Sequence, residues 1–380
     1  MSKYALRYAP LLILALLIIP LRIYMAGSTQ QAGNGKQNLA YPAYLASSPY
    51  SRSSGLYSVT ILPSGDAWAV GGSFSLRPVG QNTTRSVAVP SSGMILHYTS
   101  NAWVAANVAT PLKLPLLSVS LDSPRDGWAV GWAGTLVHFN GNIWSTVPGP
   151  AKFKQNLLGI VMLSPSDGWA VGYSGSILHY DGKQWIQVQS PTTVDLHSIA
   201  MPSAQEGWAI GDSGTILHYH KGTWNVVSPS PTSNTLDSIS MLSTAEGWVV
   251  GKQGTILHYR DGTWESVHPI GYYRNANVYQ SVDFSGIAMS SIRSGWIAAG
   301  QRFLIYSSEA WVEQANAIDF SNGPYPGMQI NDLSLYATAM SLSGDGWAVG
   351  SVYSKQKADG AIILHYHGGK WIVSLLAGLG

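Results

Sequence analysis

Two histidine pairs carry the most specific chemistry in this chain. His218 and His220 are separated by one residue, as are His365 and His367. On a β-strand this spacing places both imidazoles on one face, and imidazole nitrogens are common zinc ligands. The first member of each pair recurs elsewhere in the chain, however, and the sequence places no carboxylate beside either pair. We therefore predict no metal site, no catalytic residue and no cofactor.

These histidines belong to an internal repeat that tryptophan marks. A Gly-Trp-Ala-Val-Gly-like segment occurs seven times, with its first tryptophan at Trp68, Trp128, Trp169, Trp208, Trp248, Trp296 and Trp347. A second tryptophan closes each copy, at Trp103, Trp144, Trp185, Trp224, Trp264, Trp311 and Trp371. Fourteen of the 15 tryptophans fit this scheme, and Trp132 is the exception. A period of about 40 residues is typical of repeat architectures.

Each copy must fold as four short strands. Apolar residues alternate with a period of two, and Gly or Asp-Gly turns such as Asp261-Gly262 separate the segments. Four-stranded antiparallel sheets repeated seven times predict an all-β fold, a seven-bladed β-propeller over residues 55–380. The paired tryptophans are predicted to fill the wedges between blades.

Recurrence across the copies indicates a structural role for the repeated polar residues. The histidine position is filled by His97, His138, His179, His218, His258 and His365. Copy six has Ile305 there, which can neither ligate a metal nor act as a base, so we predict hydrogen-bonded structural histidines. Acidic residues two positions before the first tryptophan are predicted to make turn or strand-entry hydrogen bonds. They are Asp66, Asp126, Asp167, Glu206, Glu246 and Asp345, with Ser294 in copy six.

Composition excludes several function classes. The 380 residues carry a formal net charge of +2, only 11% are charged, and no Lys/Arg run of the kind that binds phosphate backbones occurs. Nucleic acid is therefore not the predicted partner. The chain has no cysteine, which excludes disulfides, thiolate zinc sites and a cysteine nucleophile.

The repeat resembles that of a known propeller group. Residues 207–219 read Gly-Trp-Ala-Ile-Gly-x-x-Gly-Thr-Ile-Leu-His-Tyr, and shortened Asp-box remnants survive at residues 181–185 and 261–264. Over about residues 55–373 the chain is similar to the photosystem II assembly/stability-factor-like group of the BNR, or Asp-box, propellers. The resemblance implies the propeller fold and a role in assembling a membrane-protein complex. That role depends on a basic surface not evident in this sequence, and photosynthesis itself is not implied.

Ligand binding is expected where the copies differ. Insertions fall between the second and third strands of copies one and seven, and between the fourth and next first strand before copies six and seven. In a meander these connections share one face, so the insertions predict a loop patch over blades 6, 7 and 1. Its candidate binding residues, rich in interface-forming Tyr and Arg, are Arg77, Arg85, Tyr272, Tyr273, Arg274, Tyr279, Tyr325, Tyr353, Lys355 and Lys357.

A second variable set lies eleven residues before each first tryptophan. It reads Tyr57, Leu117, Leu158, His197, Asp237, Ser285 and Tyr336, at the start of the predicted innermost strands. From this set Tyr57, His197, Asp237 and Tyr336 are the candidate binding residues at the channel mouth. The alternative interpretation is that these residues vary without binding a ligand, because they lie at a solvent-filled channel mouth.

The N-terminus is predicted to be a targeting segment and not part of the folded domain. Lys3 and Arg7 precede the apolar run 9–21, which has the length of a signal-peptide core. Residues 1–27 are read as a signal peptide or an N-terminal membrane anchor, and residues 28–54 as a flexible linker. Either alternative predicts an extracytoplasmic protein, secreted or anchored, that touches membrane only through this segment.

Together these features predict an exported, non-catalytic propeller, monomeric, that binds or helps assemble a protein, peptide or surface polymer such as a glycan. The alternative is a carbohydrate-active enzyme, a glycosidase or sialidase-like protein, because Asp-box propellers include such enzymes. A glycosidase needs two acids within about 5 to 10 Å. Asp237 is one candidate, but the sequence identifies no partner for it and no recurring arginine on the first strands.

Overall fold

The computed structural model describes residues 52–78, 86–269, 282–314, 317–319, 332–353 and 360–377. These residues form seven antiparallel sheets arranged as a seven-bladed β-propeller, which confirms the predicted fold. In each sheet the four strands of the blade lie side by side in chain order, so every blade is a simple meander. Among the described residues no helix is long and apolar enough to cross a membrane. The predicted N-terminal segment and linker lie outside them, apart from the last residues before 55.

Blades 2 to 4 follow the repeat closely, whereas blade 1 has longer second and third strands. Blade 1 contains β1 (Arg52–Ile61), β2 (Ala67–Pro78), β3 (Ser86–Thr99) and β4 (Ala102–Ala105). Blade 2 contains β5 (Leu116–Ser123), β6 (Asp126–Gly131), β7 (Leu136–Phe139) and β8 (Trp144–Val147). Blade 3 contains β9 (Leu157–Ser164), β10 (Asp167–Gly172), β11 (Ile177–Tyr180) and β12 (Trp185–Val188). Blade 4 contains β13 (Leu196–Ser203), β14 (Glu206–Gly211), β15 (Ile216–His220) and β16 (Thr223–Val226).

The last three blades complete the ring. Blade 5 contains β17 (Leu236–Met241), β18 (Gly247–Gly251), β19 (Ile256–Arg260) and β20 (Thr263–Ser266). Blade 6 contains β21 (Gly286–Ser291), β22 (Ser294–Ala299), β23 (Arg302–Ser307) and β24 (Ala310–Glu313). Blade 7 contains β26 (Asp332–Met340), β27 (Gly346–Tyr353), β28 (Gly360–His367) and β29 (Lys370–Ala377), and the short β25 (Ile318–Asp319) pairs parallel to β29 at its outer edge.

The first strand of each blade lies innermost. Neighbouring first strands contact one another in the order β1, β5, β9, β13, β17, β21, β26 and back to β1. They therefore surround the axis of the ring. Their starts lie on the face that carries the connections from second to third strands, because each first strand pairs antiparallel with its second.

Tryptophan pairs fill the spaces between blades, as predicted. The first tryptophan of one blade meets the closing tryptophan of the next nearly edge-on, with ring centroids 5.5 Å apart for Trp68 and Trp144 and 5.4 Å for Trp128 and Trp185. Six of the seven interfaces show this contact in the described residues. At the seventh, Trp208 packs on Tyr259 at 5.0 Å. Burying both faces of each sheet explains why charged residues are so few.

The ring closes through the same contact. Trp347 of blade 7 lies 5.0 Å from Trp103 of blade 1 at an interplanar angle of 87°. Tyr98 of blade 1 also packs on Trp347, at 4.5 Å. Within the described residues, blades 7 and 1 join by sheet packing, and each keeps its four strands from one continuous stretch of chain.

The recurring acid, histidine and tryptophan form one unit in blades 2, 3, 4, 5 and 7, and in blade 1 the same acid and histidine lie 3.8 Å apart. In blade 2 the His138 ring stacks on Trp128 at 4.5 Å, and its Nε2 lies 2.8 Å from Oδ2 of Asp126. The same stacking occurs in all six blades that have the histidine, which confirms its structural role. The acid's hydrogen bond to this histidine, across the sheet, was not predicted. Blade 6 lacks both members together, with Ser294 and Ile305 in their places.

A close backbone approach requires the glycine that ends most second strands. A Cβ on Gly251 would lie 2.1 Å from the carbonyl oxygen of Thr235, just before the first strand of the same blade. Equivalent glycines in blades 1, 2, 3, 4 and 7 face the same clash, whereas blade 6 has Ala299. This close approach of the two backbones fixes the start of the first strand against the glycine of the second.

Asp122 makes the stability of blade 2 depend on pH. Burial and the neighbouring charge of Asp126 raise the pKa of Asp122 to about 6, above the value of about 3.9 expected in the unfolded chain. Between these values the folded protein holds one more proton, so the group opposes folding at neutral pH and ceases to do so below about pH 4. Asp122→Asn should stabilise the protein by about 1 kcal/mol at pH 7.5 and not at pH 4. Urea unfolding of both proteins at both pH values measures this, and an equal difference at the two would contradict it.

Candidate functional site

A ring of bulged residues lies at the start of the innermost strands. In six blades the register between first and second strands skips one residue there, and the skipped residue is the variable position found in the sequence. These residues are Tyr57, Leu117, Leu158, His197, Asp237 and Tyr336. In blade 6 the equivalent Ser285 directly precedes β21. A bulge re-aims its extra side chain, so constant backbone geometry presents different chemistry in each blade. We call these seven residues the mouth floor.

A second ring lies fifteen residues further along each blade, within the long second strands of blades 1 and 7 and in the connection to the third strand of the other blades. His197 Nε2 lies 2.8 Å from Oδ1 of Asp212. Asp237 Oδ2 lies 3.5 Å from Nζ of Lys252, and Tyr336 Oη is 2.7 Å from the Ser351 hydroxyl. The corresponding residues are Gly72, Trp132, Tyr173, Asp212, Lys252, Gly300 and Ser351, and we call them the mouth rim.

Floor and rim differ in exposure. Tyr57, His197 and Asp237 are only 2–3% exposed, whereas Tyr336 is half-buried. On the rim, 40% of the Asp212 side chain is exposed, and Tyr173, Lys252 and Ser351 are half-buried. Three of the four residues predicted at the channel mouth are therefore buried beneath the surface, and Tyr173, Asp212, Lys252 and Ser351 of the rim are partly exposed to a ligand.

One half of the mouth is aromatic. Tyr57 lies 5.7 Å from Tyr336 and 6.4 Å from Phe74, and Phe74 lies 5.5 Å from Trp132. Leu117, Leu158 and Tyr173 join the same cluster. Trp132, the one tryptophan outside the repeat, therefore belongs to the mouth. Burial, then the nearby Tyr336, raises the pKa of Tyr57 well above its ordinary value, so its hydroxyl stays neutral.

The other half is charged. Lys252 Nζ lies 2.9 Å from Oδ2 of Asp283 as well as 3.5 Å from the buried Asp237. Thr235 donates a hydrogen bond of 2.9 Å to Asp212. Asp195, directly before β13, accepts a 2.7 Å hydrogen bond from the backbone N–H of Ser174 in blade 3. Four carboxylates and one ammonium group thus occupy this side, which leaves it net acidic.

The insertions of blades 1 and 7 extend the same face. The β2–β3 hairpin pairs as far as Pro78 with Ser86, and the β27–β28 hairpin reaches Val352 with Gly360. Both insertions thus fall between second and third strands, as predicted. Of the loop-patch residues, the structure describes only the backbone of Arg77 and Tyr353. The others lie outside the described residues: Arg85, Tyr272, Tyr273, Arg274, Tyr279, Tyr325, Lys355 and Lys357.

Sequence reasoning missed the rim. Asp212, Lys252 and Ser351 each stand one residue after the last glycine of the Gly-Trp-Ala-Val-Gly-like segment, where Trp132 and Tyr173 also stand. Their constant distance of fifteen residues from the floor was visible, and so was their variability. It also missed Glu206 as a carboxylate beside the first histidine pair, since its side chain contacts both His218 and His220. Hydrogen bonds from these histidines outweigh burial and lower the pKa of Glu206.

Part of the chain matches a known sequence family. The family described as "Photosynthesis system II assembly factor YCF48" matches residues 181–272, from the end of blade 3 into the connection after blade 5. No curated protein matches this chain.

Solved structures with the same fold are distant in sequence. "YCF48 bound to D1 peptide" is 15% identical, with a TM-score of 0.58, and the alignment covers 83% of this chain and 92% of that one. "YCF48 from Cyanidioschyzon merolae" is 15% identical, with a TM-score of 0.56 and coverages of 84% and 97%. The WD40 repeats of RRP9 are 10% identical, with a TM-score of 0.53 and coverages of 81% and 92%. The predicted likeness to photosystem II assembly-factor-like propellers is confirmed by the family match over residues 181–272 and, at the level of the fold, by the two YCF48 structures.

Proposed function

We propose that this protein is a non-catalytic binding scaffold that holds a peptide segment of another protein across the channel mouth. The observation that carries this proposal is the contrast within each blade. The acid, histidine and tryptophans repeat with little change, whereas the floor and rim differ from blade to blade at fixed backbone positions. A surface that varies on a constant frame is suited to recognition.

The two halves of the mouth indicate the ligand's chemistry. Tyr173 and Tyr336 offer half-buried aromatic surface, which favours an apolar or aromatic side chain. Asp212 and Asp283 offer exposed carboxylates, which favour a basic side chain. An extended segment with an apolar residue and a Lys or Arg fits both halves. The structure of YCF48 with a peptide supports a peptide as the ligand class for this fold.

The loop patch is proposed to extend this surface. The β2–β3 and β27–β28 hairpins rise from neighbouring blades on the mouth face. The sequence between the two strands of each hairpin contains basic residues, including Arg85, Lys355 and Lys357. They would complement an acidic portion of the same partner, so replacing Lys355 and Lys357 by Ala should weaken binding mainly at low salt.

Export is proposed from the N-terminal segment. A basic start followed by the apolar run 9–21 is the pattern of a secretory signal or anchor. Fusing residues 1–54 to a reporter that is active only outside the cytoplasm should give activity. Replacing Leu12, Leu14 and Leu17 by charged residues should abolish that activity. An inactive wild-type fusion would contradict export.

Peptide selection tests the mouth directly. A library of random linear peptides panned against the purified chain should yield binders enriched in aromatic and basic residues. Tyr173→Ala should weaken these binders about tenfold or more, because half-buried aromatics carry a large share of interface free energy. Ile186→Ala is the matched control, since Ile186 is 42% exposed on the outer strand of the same blade. If neither Tyr173→Ala nor Ile186→Ala changed the affinity of the selected peptides, the proposal that they bind at the mouth would be contradicted.

One observation favours keeping a glycoside hydrolase as the second candidate. Asp237 and Asp283 both reach the ammonium group of Lys252, so two carboxylates do converge at the mouth. The ammonium group between them, however, occupies the space in which a glycosidic bond would have to lie. Turnover of a chromogenic glycoside by the wild type that disappears in Asp237→Asn would favour this candidate over the scaffold.

A further inference from the structure

A cluster of three potential metal ligands lies in blade 4, on the face opposite the mouth. Glu206 starts β14 and His220 ends β15, so both lie at the turns that link first to second and third to fourth strands. Glu206 Oε2 lies 2.7 Å from Nε2 of His218, and its Oε1 contacts Nδ1 of His220. One donor atom from each residue lies within 4.8 Å of the other two.

The donor set suits a divalent transition metal. Two imidazole nitrogens and one carboxylate are frequent ligands of zinc, with metal–ligand distances of about 2.0 to 2.2 Å. An ion at that distance from all three would replace the hydrogen bonds that now hold the histidines to the carboxylate. Three protein ligands leave the fourth position of a tetrahedral zinc site open, and the His220 side chain is 48% exposed, so solvent reaches the cluster.

The repeat does not account for this cluster. The structural unit of a blade needs only the acid and the first histidine, as in blade 5, where Glu246 contacts His258 and Arg260 stands in place of His220. Blade 7 has a second histidine, His367, but its acid is the shorter Asp345, which bonds His365 at 3.1 Å. Within the part of the chain that the structure describes, blade 4 alone brings three such ligands together.

We propose that Glu206, His218 and His220 bind a zinc-class divalent metal ion and leave one coordination position open. This site is independent of the peptide site, because it lies on the opposite face and uses no floor or rim residue. Its open position can take water or a side chain from another molecule.

The binding test uses zinc alone and the full chain. After removal of bound metal with a chelator, equilibrium dialysis should show one high-affinity zinc per chain. His218 stacks on Trp208 and supports the fold, so replacing it would also change the stability of the protein. His220→Arg is therefore the informative loss variant, because it reproduces the arrangement of blade 5. It should weaken zinc binding by at least about tenfold with an unchanged melting temperature in the absence of metal. Cobalt in place of zinc should give the strong visible absorption of a tetrahedral site in the wild type only.

A gain of binding in blade 5 provides the matched control. Arg260→His should add a second zinc per chain, because Glu246 and His258 already have the required arrangement. Zinc binding that is absent in the wild type, or that survives His220→Arg unchanged, would overturn the proposal. So would a failure of Arg260→His to add an ion, since that would show that this arrangement does not bind metal.

Discussion

Trp347→Ala should lower the free energy of unfolding by about 3 to 5 kcal/mol. Trp347 is 1% exposed, stacks on His365 at 4.1 Å and contacts Trp103 and Tyr98 of blade 1. Its loss leaves a cavity at the interface that closes the ring. This interface joins blade 7 to blade 1, which are the last and the first blades along the chain. Urea unfolding at equilibrium measures the change.

Two further variants make this result specific. Trp208→Ala removes an equally buried tryptophan from the middle of the ring and should cost a similar amount. Leu342→Ala removes a side chain that is 66% exposed and should change the free energy by no more than about 0.5 kcal/mol. If Trp347→Ala proved as mild as Leu342→Ala while Trp208→Ala remained severe, blades 7 and 1 would not be joined in solution.

Lys252→Met should destabilise the protein by about 3 kcal/mol. Its ammonium group is the charge that faces Asp237, a carboxylate only 2% exposed on the mouth floor. Removing that positive charge takes the ammonium partner away from a buried carboxylate, whereas the Asp283 carboxylate, with 47% of its side chain exposed, remains solvated. Equilibrium unfolding at pH 7 gives the difference.

A double variant identifies the cause of that loss. Adding Asp237→Asn to Lys252→Met removes the negative charge of the buried Asp237 carboxylate, so the double variant should be more stable than Lys252→Met alone. Lys370→Met is the surface control, because Lys370 is 61% exposed and lies 3.7 Å from Asp319, where a pair contributes about 0 to 1 kcal/mol. A double variant less stable than the single one would show that Asp237 is not held by Lys252.

The repeat made the architecture predictable. Spacing of the tryptophans and period-two alternation predicted seven four-stranded blades, and the structure has them, with β25 added at the edge of blade 7. Recurrence also predicted structural histidines correctly, because Ile305 replaces the histidine in copy six. The acid that each histidine contacts could have been identified in the same way, since Ser294 replaces the acid in that copy.

The mouth was only partly predictable. The sequence located the positions that differ between copies, but it contains no marker for the bulge that turns Tyr57, His197 and Asp237 inward and covers them. Trp132 was set apart from the repeat without a location, because its packing on Phe74 depends on how the insertion of blade 1 folds. Contacts between distant positions, such as Lys252 with Asp283, depend on how the connections fold over the face.

The central claim is that ligands bind on the mouth face, and a hydrogen-exchange footprint of a selected peptide tests it most directly. Bound peptide should slow exchange in the connections 132–135, 173–176, 212–215 and 252–255, which all lie on that face. Exchange at the opposite turns 140–143, 181–184 and 220–223 should not change. Protection confined to those opposite turns or to the outer strands would contradict the account.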